Sequence, residues 1–355
     1  MNIAILKTAA LGDVVRTTSI LPGLHRRYGN ARVTWVTAPS ALDLVRTNPH
    51  VERVLCLDQK DPASVALVEA ELDGTSFERV LSFDDEPVMC ALATRLAGDR
   101  PESILSGAYL DGVERVYTKD CAPWFDMGLL SVHGKEEADR LKRENRETHP
   151  SIFARMLKIG KGEPELHLTE EAQRFGASFR AQHEWDSRRP VVGLNTGSGG
   201  RWESKKLSVE RTIETARLLD EELAQRPLYV LMGGPEEEER NARIAQGLES
   251  QKRPLAWIDG GTKNSLLEFA ALVDDLDLLV TSDSLALHIA TARSVPIVAF
   301  FAPTPAAEID FYGRGQAVES TADDYASYRK DADTSSLTPE RLTQACVSVL
   351  KANVA

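Results

Sequence analysis

The stretch Val280-Thr281-Ser282-Asp283-Ser284-Leu285-Ala286-Leu287-His288-Ile289-Ala290 decides the fold class. The apolar run Leu276 to Val280 that leads into it predicts a buried strand. Leu285 to Ala292 is apolar at helical spacing, and Ser282, Asp283 and Ser284 are each good N-caps. The segment therefore reads strand, tight turn, helix, with a helix N-terminus at the carboxyl end of a strand. Unbonded N–H groups and the helix dipole favour an anion there, most often a phosphate. His288 lies one turn inside the helix and would add a donor. An ordinary capped helix in an α/β sheet accounts for this turn equally well. The residues beyond it favour a ligand site: Pro296 to Phe301 reads as another buried strand, and Ala302-Pro303-Thr304-Pro305 is a rigid turn of the kind that borders a crevice.

Strand and helix patterns alternate twice along the chain. In the first half Ile3–Leu6, Val33–Val36, Val54–Leu57 and Arg79–Phe83 read as strands, with helices at Thr17–Tyr28, Ser64–Leu72 and Pro87–Leu96. The second half restarts at Val191–Asn195. It continues with strands at Leu228–Met232, Leu276–Val280 and Pro296–Phe301. Helices fall at Val209–Ala224, Glu236–Leu248, Ser265–Val273 and Leu285–Ala292. Such alternation predicts parallel sheets covered on both faces. Two doubly wound α/β domains with a cleft between them are expected, with ligands at the carboxyl ends of the strands. We place the domains at 1–165 and 166–335, with a last helix at 336–355 packing back across them. The charged stretch 135–161 reads as helical, either a lid on the acceptor side or, more simply, a solvated connector. The stretch Asp186-Ser187-Arg188-Arg189-Pro190 reads as the entry to the second domain.

Composition narrows the function classes. The chain has 355 residues, too many for one typical core. A hydrophobic content of 42% and a charged content of 27% describe a soluble globular protein. No apolar run reaches the about 18 residues that a spanning helix needs. Met1–Lys7 is too short an apolar run for a signal peptide and reads as a first strand, so a cytoplasmic protein is expected. The cysteines, Cys56, Cys90, Cys121 and Cys346, form no CxxC pair, and neither a disulfide framework nor a zinc site is expected. A net charge of −12 argues against nucleic-acid binding. Arg16, His25, Arg26, Arg27 and Arg32 still put local positive charge near the start of domain one. That patch could meet an anionic lipid headgroup or a phosphorylated glycan, or be a solvated helix face.

Three loops at strand ends carry the candidate chemistry. In Lys7-Thr8-Ala9-Ala10-Leu11-Gly12-Asp13-Val14-Val15-Arg16, Gly12 permits a tight turn and Asp13 sits at a helix start. By position alone the carboxylate is a cap; it could also be a general base on a substrate hydroxyl. The GxxxxGK[ST] spacing of a P-loop is absent. The loop Asn195-Thr196-Gly197-Ser198-Gly199-Gly200-Arg201-Trp202-Glu203-Ser204-Lys205-Lys206 combines small residues, hydroxyls and cations. It suits a diphosphate held by Thr196, Ser198 and Lys205, with Gly197 letting the backbone approach. Met232-Gly233-Gly234-Pro235-Glu236-Glu237 is a strand end, a glycine turn and an acidic helix start. Its acids fit the helix dipole, and one of them could accept hydrogen bonds from ribose hydroxyls.

The order of these signals resembles the heptosyltransferase family, the inverting glycosyltransferase family nine with the two-domain GT-B fold. Ala10-Leu11-Gly12-Asp13-Val14-Val15 is very similar to its N-terminal signature. Asn195-Thr196-Gly197-Ser198 with Ser204-Lys205 resembles its phosphate loop. Gly233-Gly234-Pro235-Glu236-Glu237 and Asp283-Ser284…His288-Ile289-Ala290 resemble its donor-site motifs, and Phe301-Ala302-Pro303-Thr304 with Tyr312-Gly313 its closing signature. The resemblance implies Asp13 as general base, with Gly12 and Arg16 beside the acceptor. Lys205, Thr196 and the helix start at Asp283, Ser284, Leu285 and Ala286, with His288, would hold the nucleotide diphosphate as leaving group. Glu237, or its neighbour Glu236, would bind the ribose, and Asn264, Ser265 and Leu266 would lie near the base. Displacement would be direct, with inversion, no cofactor and no metal, in line with the absence of a DxD motif at Asp84-Asp85 or Asp274-Asp275. The expected donor is ADP-heptose and the expected acceptor a lipopolysaccharide core or related glycan or glycolipid. Peripheral contact with the inner face of the inner membrane would accompany a lipid-borne acceptor.

The chain departs from the family pattern at Leu285, where glycine is usual, and at Leu207-Ser208, where Trp-Pro is usual. Residues 121–161 take no part in the shared signatures. Two other readings use the same residues. A nucleotide-sugar epimerase of the same fold would form product without an acceptor; the signature at Leu11-Gly12-Asp13 disfavours it. A nucleotide-sugar-binding protein without turnover is suggested by Leu285, and Asp13 and Lys205 argue against it.

Overall fold

A computed structural model describes the chain except for residues 129–132, 184, 186–188, 200–201 and 355. Most of the expected domain entry, Asp186 to Arg188, and Gly200 and Arg201 of the second loop lie outside the described residues. The chain forms two compact units, Met1–His167 and Leu168–Ala355.

The first unit holds strands β1 (Asn2–Leu6), β2 (Arg32–Thr37), β3 (Arg53–Cys56), β4 (Arg79–Ser82), β5 (Leu105–Asp111) and β6 (Glu114–Tyr117). Its helices are α1 (Leu11–Thr17), α2 (Leu21–Tyr28), α3 (Leu42–Val45), α4 (Pro62–Leu72), α5 (Pro87–Ala97), α6 (Pro101–Ile104), α7 (Ala122–Phe125), α8 (Lys135–Glu144) and α9 (His149–Leu157). The sheet runs β3-β2-β1-β4-β5-β6, parallel except for β6, which turns back on β5. β1 is paired on both edges, Ile3 opposite Val33 and Arg79, and Ile3 to Leu6 are buried on both faces. That is why it reads as an unbroken apolar run.

The second unit holds β7 (Val191–Asn195), β8 (Leu228–Met232), β9 (Ala256–Asp259), β10 (Leu278–Ser282), β11 (Ile297–Phe301) and β12 (Gly315–Glu319), all parallel, in the order β12-β11-β10-β7-β8-β9. Its helices are α10 (Glu170–Gln182), α11 (Val209–Glu222), α12 (Glu238–Glu249), α13 (Leu266–Val273), α14 (Leu285–Ala292) and α15 (Pro339–Val354). α15 packs on α11 and beside β10 to β12, and its Leu342, Ala345 and Cys346 join this unit's core. Tyr229 is buried there with its hydroxyl donating to Ala216 O at 2.6 Å.

Local chemistry moves some boundaries. The expected helix Thr17–Tyr28 is a 3₁₀ turn over Thr18–Ile20 followed by α2, and α1 before it ends at Thr17. Pro22 lacks the N–H that a continuous helix needs, and Thr18 Oγ1 donates back to Val15 O at 2.6 Å. β10 starts two residues later than the apolar run suggests. Leu276 N still donates to Val273 O at the end of α13, and the Asp277 carboxylate is held by Val191 N at 2.8 Å. Ser208 stands in the atypical Leu207-Ser208 pair and caps α11, accepting from Arg211 N. Among the described residues, no helix is long and apolar enough to cross a membrane.

Candidate active site

In the first sheet the strand order reverses between β1 and β4, and α/β sheets bind ligands at the carboxyl ends of strands flanking such a reversal. Lys7 leaves β1 there and Asp84 lies just past β4. The Asp84 carboxylate accepts from Lys7 Nζ, Thr8 N and Thr8 Oγ1, each at 2.5 Å. Both charged residues are buried. Lys7 Nζ also lies 4.0 Å from Asp13 Oδ2, and Asp13 Oδ1 pairs with Arg16 at 2.8 Å. Burial works against the Lys7 ammonium, but Asp84 and Asp13 outweigh it and hold its pKa above the ordinary lysine value. The Arg16 guanidinium lies over the Trp124 ring, 5.0 Å from its centroid. Trp124 packs edge-on against His149 and Phe153 of α9. Trp124, His149 and Phe153, from a stretch silent in the sequence signatures, thus supply the wall that fixes Arg16.

Asp13 does not cap α1. Ala10 holds the N-cap position and makes no side-chain cap, while Asp13 is the third helical residue. Its carboxylate is the most exposed of the three charges, 32% against 9% for Lys7 and 14% for Arg16. A carboxylate beside two largely buried cations, itself partly open to solvent, has the geometry of a group that can take a proton from an incoming hydroxyl. Gly12 lies inside the first helical turn rather than in a tight turn.

The second sheet repeats this arrangement. Its order reverses between β7 and β10, and again a lysine and an aspartate from the two flanking loops meet. Lys205 Nζ donates to Asp283 Oδ2 at 2.7 Å and to Asp283 O at 2.8 Å. His288 Nε2 lies 3.8 Å from Asp283 Oδ1. Burial alone would raise the Asp283 carboxyl, but Lys205 and His288 hold it well below the usual carboxylate range. Ser284 is the N-cap of α14, yet it makes no side-chain cap. Its hydroxyl instead lies 3.0 Å from Thr281 Oγ1 and accepts from Asn195 Nδ2 at 3.4 Å. The cap side chain therefore does not close the first turn of α14, which leaves its N-terminal dipole turned toward an anion. Leu285 is the first residue of that helix and is half-buried; Ala286 is buried.

The neighbouring strand ends are tied to this loop. Glu237 is buried and Glu236 exposed. Glu237 Oε2 accepts from Gly234 N at 2.9 Å. A Cβ at Gly197 would fall 2.0 Å from Glu237 Cδ and Oε1, and one at Gly233 would fall 2.7 Å from Glu237 Cβ. Both positions need glycine because this carboxylate packs on them. Glu237 Oε1 is buried beside Gly197 without a partner among the described residues.

Two of the expected site residues are engaged within the chain. The Thr196 hydroxyl is buried and donates to Asn241 Oδ1 at 2.5 Å. Ser265 is likewise spent locally, in a reciprocal capping box with Glu268 at the start of α13. Asn264 ties back to Gly260 O at 2.7 Å, beside the end of β8. Ser198 Oγ reaches Trp202 O at 3.4 Å. In the expected basic patch, Arg27 donates to Leu157 O and Lys158 O and so caps α9, Arg32 is paired with Glu52, and His25 Nε2 lies 3.0 Å from His50 O. Sequence reasoning missed Lys7, Asp84, Arg240 and Asn241. A charged residue just past a buried strand was the available signal: Lys7 alone after β1, and Asp84 at the head of Asp84-Asp85-Glu86 after β4.

The profile of the family described as glycosyltransferase family 9 (heptosyltransferase) matches residues 147–337, more than half of the chain. No functionally curated protein matches by sequence. Among solved structures, the glycosyl transferase family 9 protein from Veillonella parvula DSM 2008 superposes with a TM-score of 0.72 at 19% identity, over 99% of this chain and 97% of that one. The E. coli ADP-heptose LPS heptosyltransferase II gives 0.66 at 16% identity, covering all of both chains. The E. coli heptosyltransferase WaaC, solved with ADP-2-deoxy-2-fluoro heptose, gives 0.60 at 19% identity, over 98% of this chain and 99% of that one. At these identities the likeness is one of fold, and the fold class is GT-B.

Proposed function

This chain belongs to glycosyltransferase family 9, and from that premise we propose that it transfers heptose from ADP-heptose to a lipopolysaccharide-core or related bacterial glycan, with inversion. The observation that carries this reading is the Lys205–Asp283–His288 cluster at the uncapped start of α14, where the strand order reverses. It concentrates donors where a leaving diphosphate gains charge. An ammonium has three N–H donors; two of Lys205's go to Asp283, and the third would meet the diphosphate. Glu237, or its exposed neighbour Glu236, would take a ribose hydroxyl. Asp13 would remove the proton of the acceptor hydroxyl. The oxygen's electron pair then bonds the anomeric carbon as the carbon–oxygen bond to the diphosphate breaks, its pair leaving on ADP. No cofactor or metal has a step in this scheme.

A cytoplasmic location goes with this reading, since a nucleotide sugar is the donor. A basic membrane-facing patch draws little support, because Arg27 and Arg32 are already engaged within the chain. Calorimetry with ADP, UDP, GDP and ADP-heptose, without added metal, tests the donor. Adenine-restricted binding that the heptose strengthens is expected; preference for UDP or GDP would overturn the donor assignment. Asp13→Ala should abolish transfer and leave donor affinity nearly unchanged. The alternative, a nucleotide-sugar-binding protein without turnover, rests on Leu285 at the first position of α14. Stoichiometric donor binding with no turnover on any acceptor would favour it.

A further inference from the structure

Arg240 occupies the first turn of α12, where a cation opposes the helix dipole. Its neighbours Glu236 to Glu239 are the residues that position favours, so the arginine is held there by something else. Its Nε donates to Thr196 O at 2.9 Å and its second terminal nitrogen donates to Leu207 O. These carbonyls bracket the loop that carries Ser198 and Lys205. The next residue, Asn241, accepts from the Thr196 hydroxyl. One helix turn therefore grips the loop at its start and its end. Burial disfavours the guanidinium charge, offset in part by Glu203 and Glu237, and its pKa lies below the ordinary arginine value.

We propose that Arg240 is a positioning residue that clamps both ends of the 196–207 loop, so that Lys205 is already placed when a nucleoside diphosphate arrives. The inference rests on the donor-site reading of the Lys205 cluster. Arginine suits the task because its planar fork presents donors in two fixed directions, which a lysine cannot do. Closing the loop at its base removes ordering that the ligand would otherwise have to impose. The effect belongs to the phosphates. The Glu237 carboxylate, which faces Arg240, keeps its own bond from Gly234 N, and the end of β9 is tied separately, so Arg240→Lys, which retains the charge, should leave nucleoside binding in place.

The test compares ADP with adenosine by calorimetry in wild type, Arg240→Gln and Arg240→Lys, with thermal melts alongside. Loss of a charged donor from two carbonyls should weaken ADP by roughly 10- to 100-fold in both variants, with adenosine affinity in Arg240→Lys held within about twofold. Equal weakening of ADP and adenosine in Arg240→Lys, or no weakening of ADP, overturns the clamp. Should Arg240→Gln not fold, Arg240→Lys keeps the charge and stem and decides the matter. A wild type that fails to bind ADP would overturn the donor-site reading instead. The clamp is then judged by amide exchange from Thr196 to Leu207, which should quicken in Arg240→Lys and overturns the clamp if unchanged.

Discussion

Replacing Lys7 by methionine tests whether the buried pair beneath Asp13 tunes the proposed base. Lys7 Nζ lies 4.0 Å from Asp13 Oδ2. Two unit charges at that distance interact by about 1 kcal/mol in water and about 4 kcal/mol at an effective dielectric near 20. At about 1.36 kcal/mol per pKa unit, removing the ammonium should raise the Asp13 carboxyl by about 0.7 to 3 units. Asp13 is 32% exposed, which favours the lower end, and Arg16 stays in place at 2.8 Å. The acid limb of the pH profile of kcat/KM should therefore move up by about 1 unit. The plateau at high pH should change much less. The assay is ADP release from ADP-heptose with a lipopolysaccharide-core acceptor, read across the acid range. Lys7→Arg keeps the charge and should restore most of the wild-type limb. The substitution also leaves Asp84 without its cation; breaking a buried pair costs about 3–5 kcal/mol, softened here because Thr8 still gives Asp84 two hydrogen bonds. Melts must accordingly accompany the kinetics. A folded Lys7→Met enzyme with its acid limb unmoved, or moved down, would refute the reasoning.

Three further outcomes are expected. Thr196→Val leaves Asn241 Oδ1 without its donor in a buried site and should cost about 1–3 kcal/mol in denaturant unfolding. Its ADP affinity should hold near wild type; a stable variant with lost affinity would return the hydroxyl to the ligand. Lys205→Met strands the Asp283 charge, largely buried as it is, and should cost about 3 kcal/mol near neutral pH, with Lys205→Met/Asp283→Asn recovering at least half. The wild-type Asp283 carboxyl is held below its usual value, so its stabilisation is present above about pH 4 and is lost as pH falls through the lowered value. In Lys205→Met that loss should begin at a higher pH, and an unchanged acid-unfolding curve would refute the pairing. Gly107 in β5 has φ +127° and no room for a side chain, since a Cβ would lie 1.8 Å from Ser82 O. Gly107→Ala should unfold the first unit or lower its melting temperature by 10 °C or more, at about 4 kcal/mol of backbone strain and overpacking, whereas an ordinary melt would show that the β4–β5 pairing gives way.

What was legible in the sequence and what was not divides by the range of the forces involved. The strands β1, β7, β8 and β11 could be read within a residue or two because each is an apolar run buried on both faces, and that pattern is local. β9 and β12 were missed because they are edge strands, part-exposed and mixed in character, with burial patterns that no apolar run announces. The loops of the candidate site were legible for the same local reason: glycines, hydroxyls and caps at strand ends. Which side chain of a loop turns inward was not legible. Thr196 and Ser198 are both hydroxyl residues two positions apart in one loop, yet Asn241, 45 residues on in sequence, claims the first, while the second stays within its own loop against Trp202 O. Asp84 looked like half of a failed metal motif. Its actual role depends on Lys7, 77 residues away, and on the strand order that makes β1 and β4 neighbours. The same dependence explains why a lysine and an aspartate meet in both units. Each pair comes from the two loops flanking a sheet reversal, where carboxyl ends of strands leave side chains beyond the last ladder hydrogen bond and partly out of water. A lone charge there would be costly and an ion pair is tolerated. In each unit one partner of the pair also faces a third titratable group, Asp13 beside Lys7 and His288 beside Asp283. Lys7 sets a cation beside Asp13, and Asp283 sets an anion beside His288. The two pairs thus present opposite charges to their neighbours at corresponding places in the two sheets, and sequence can reveal that relation only after the topology is known.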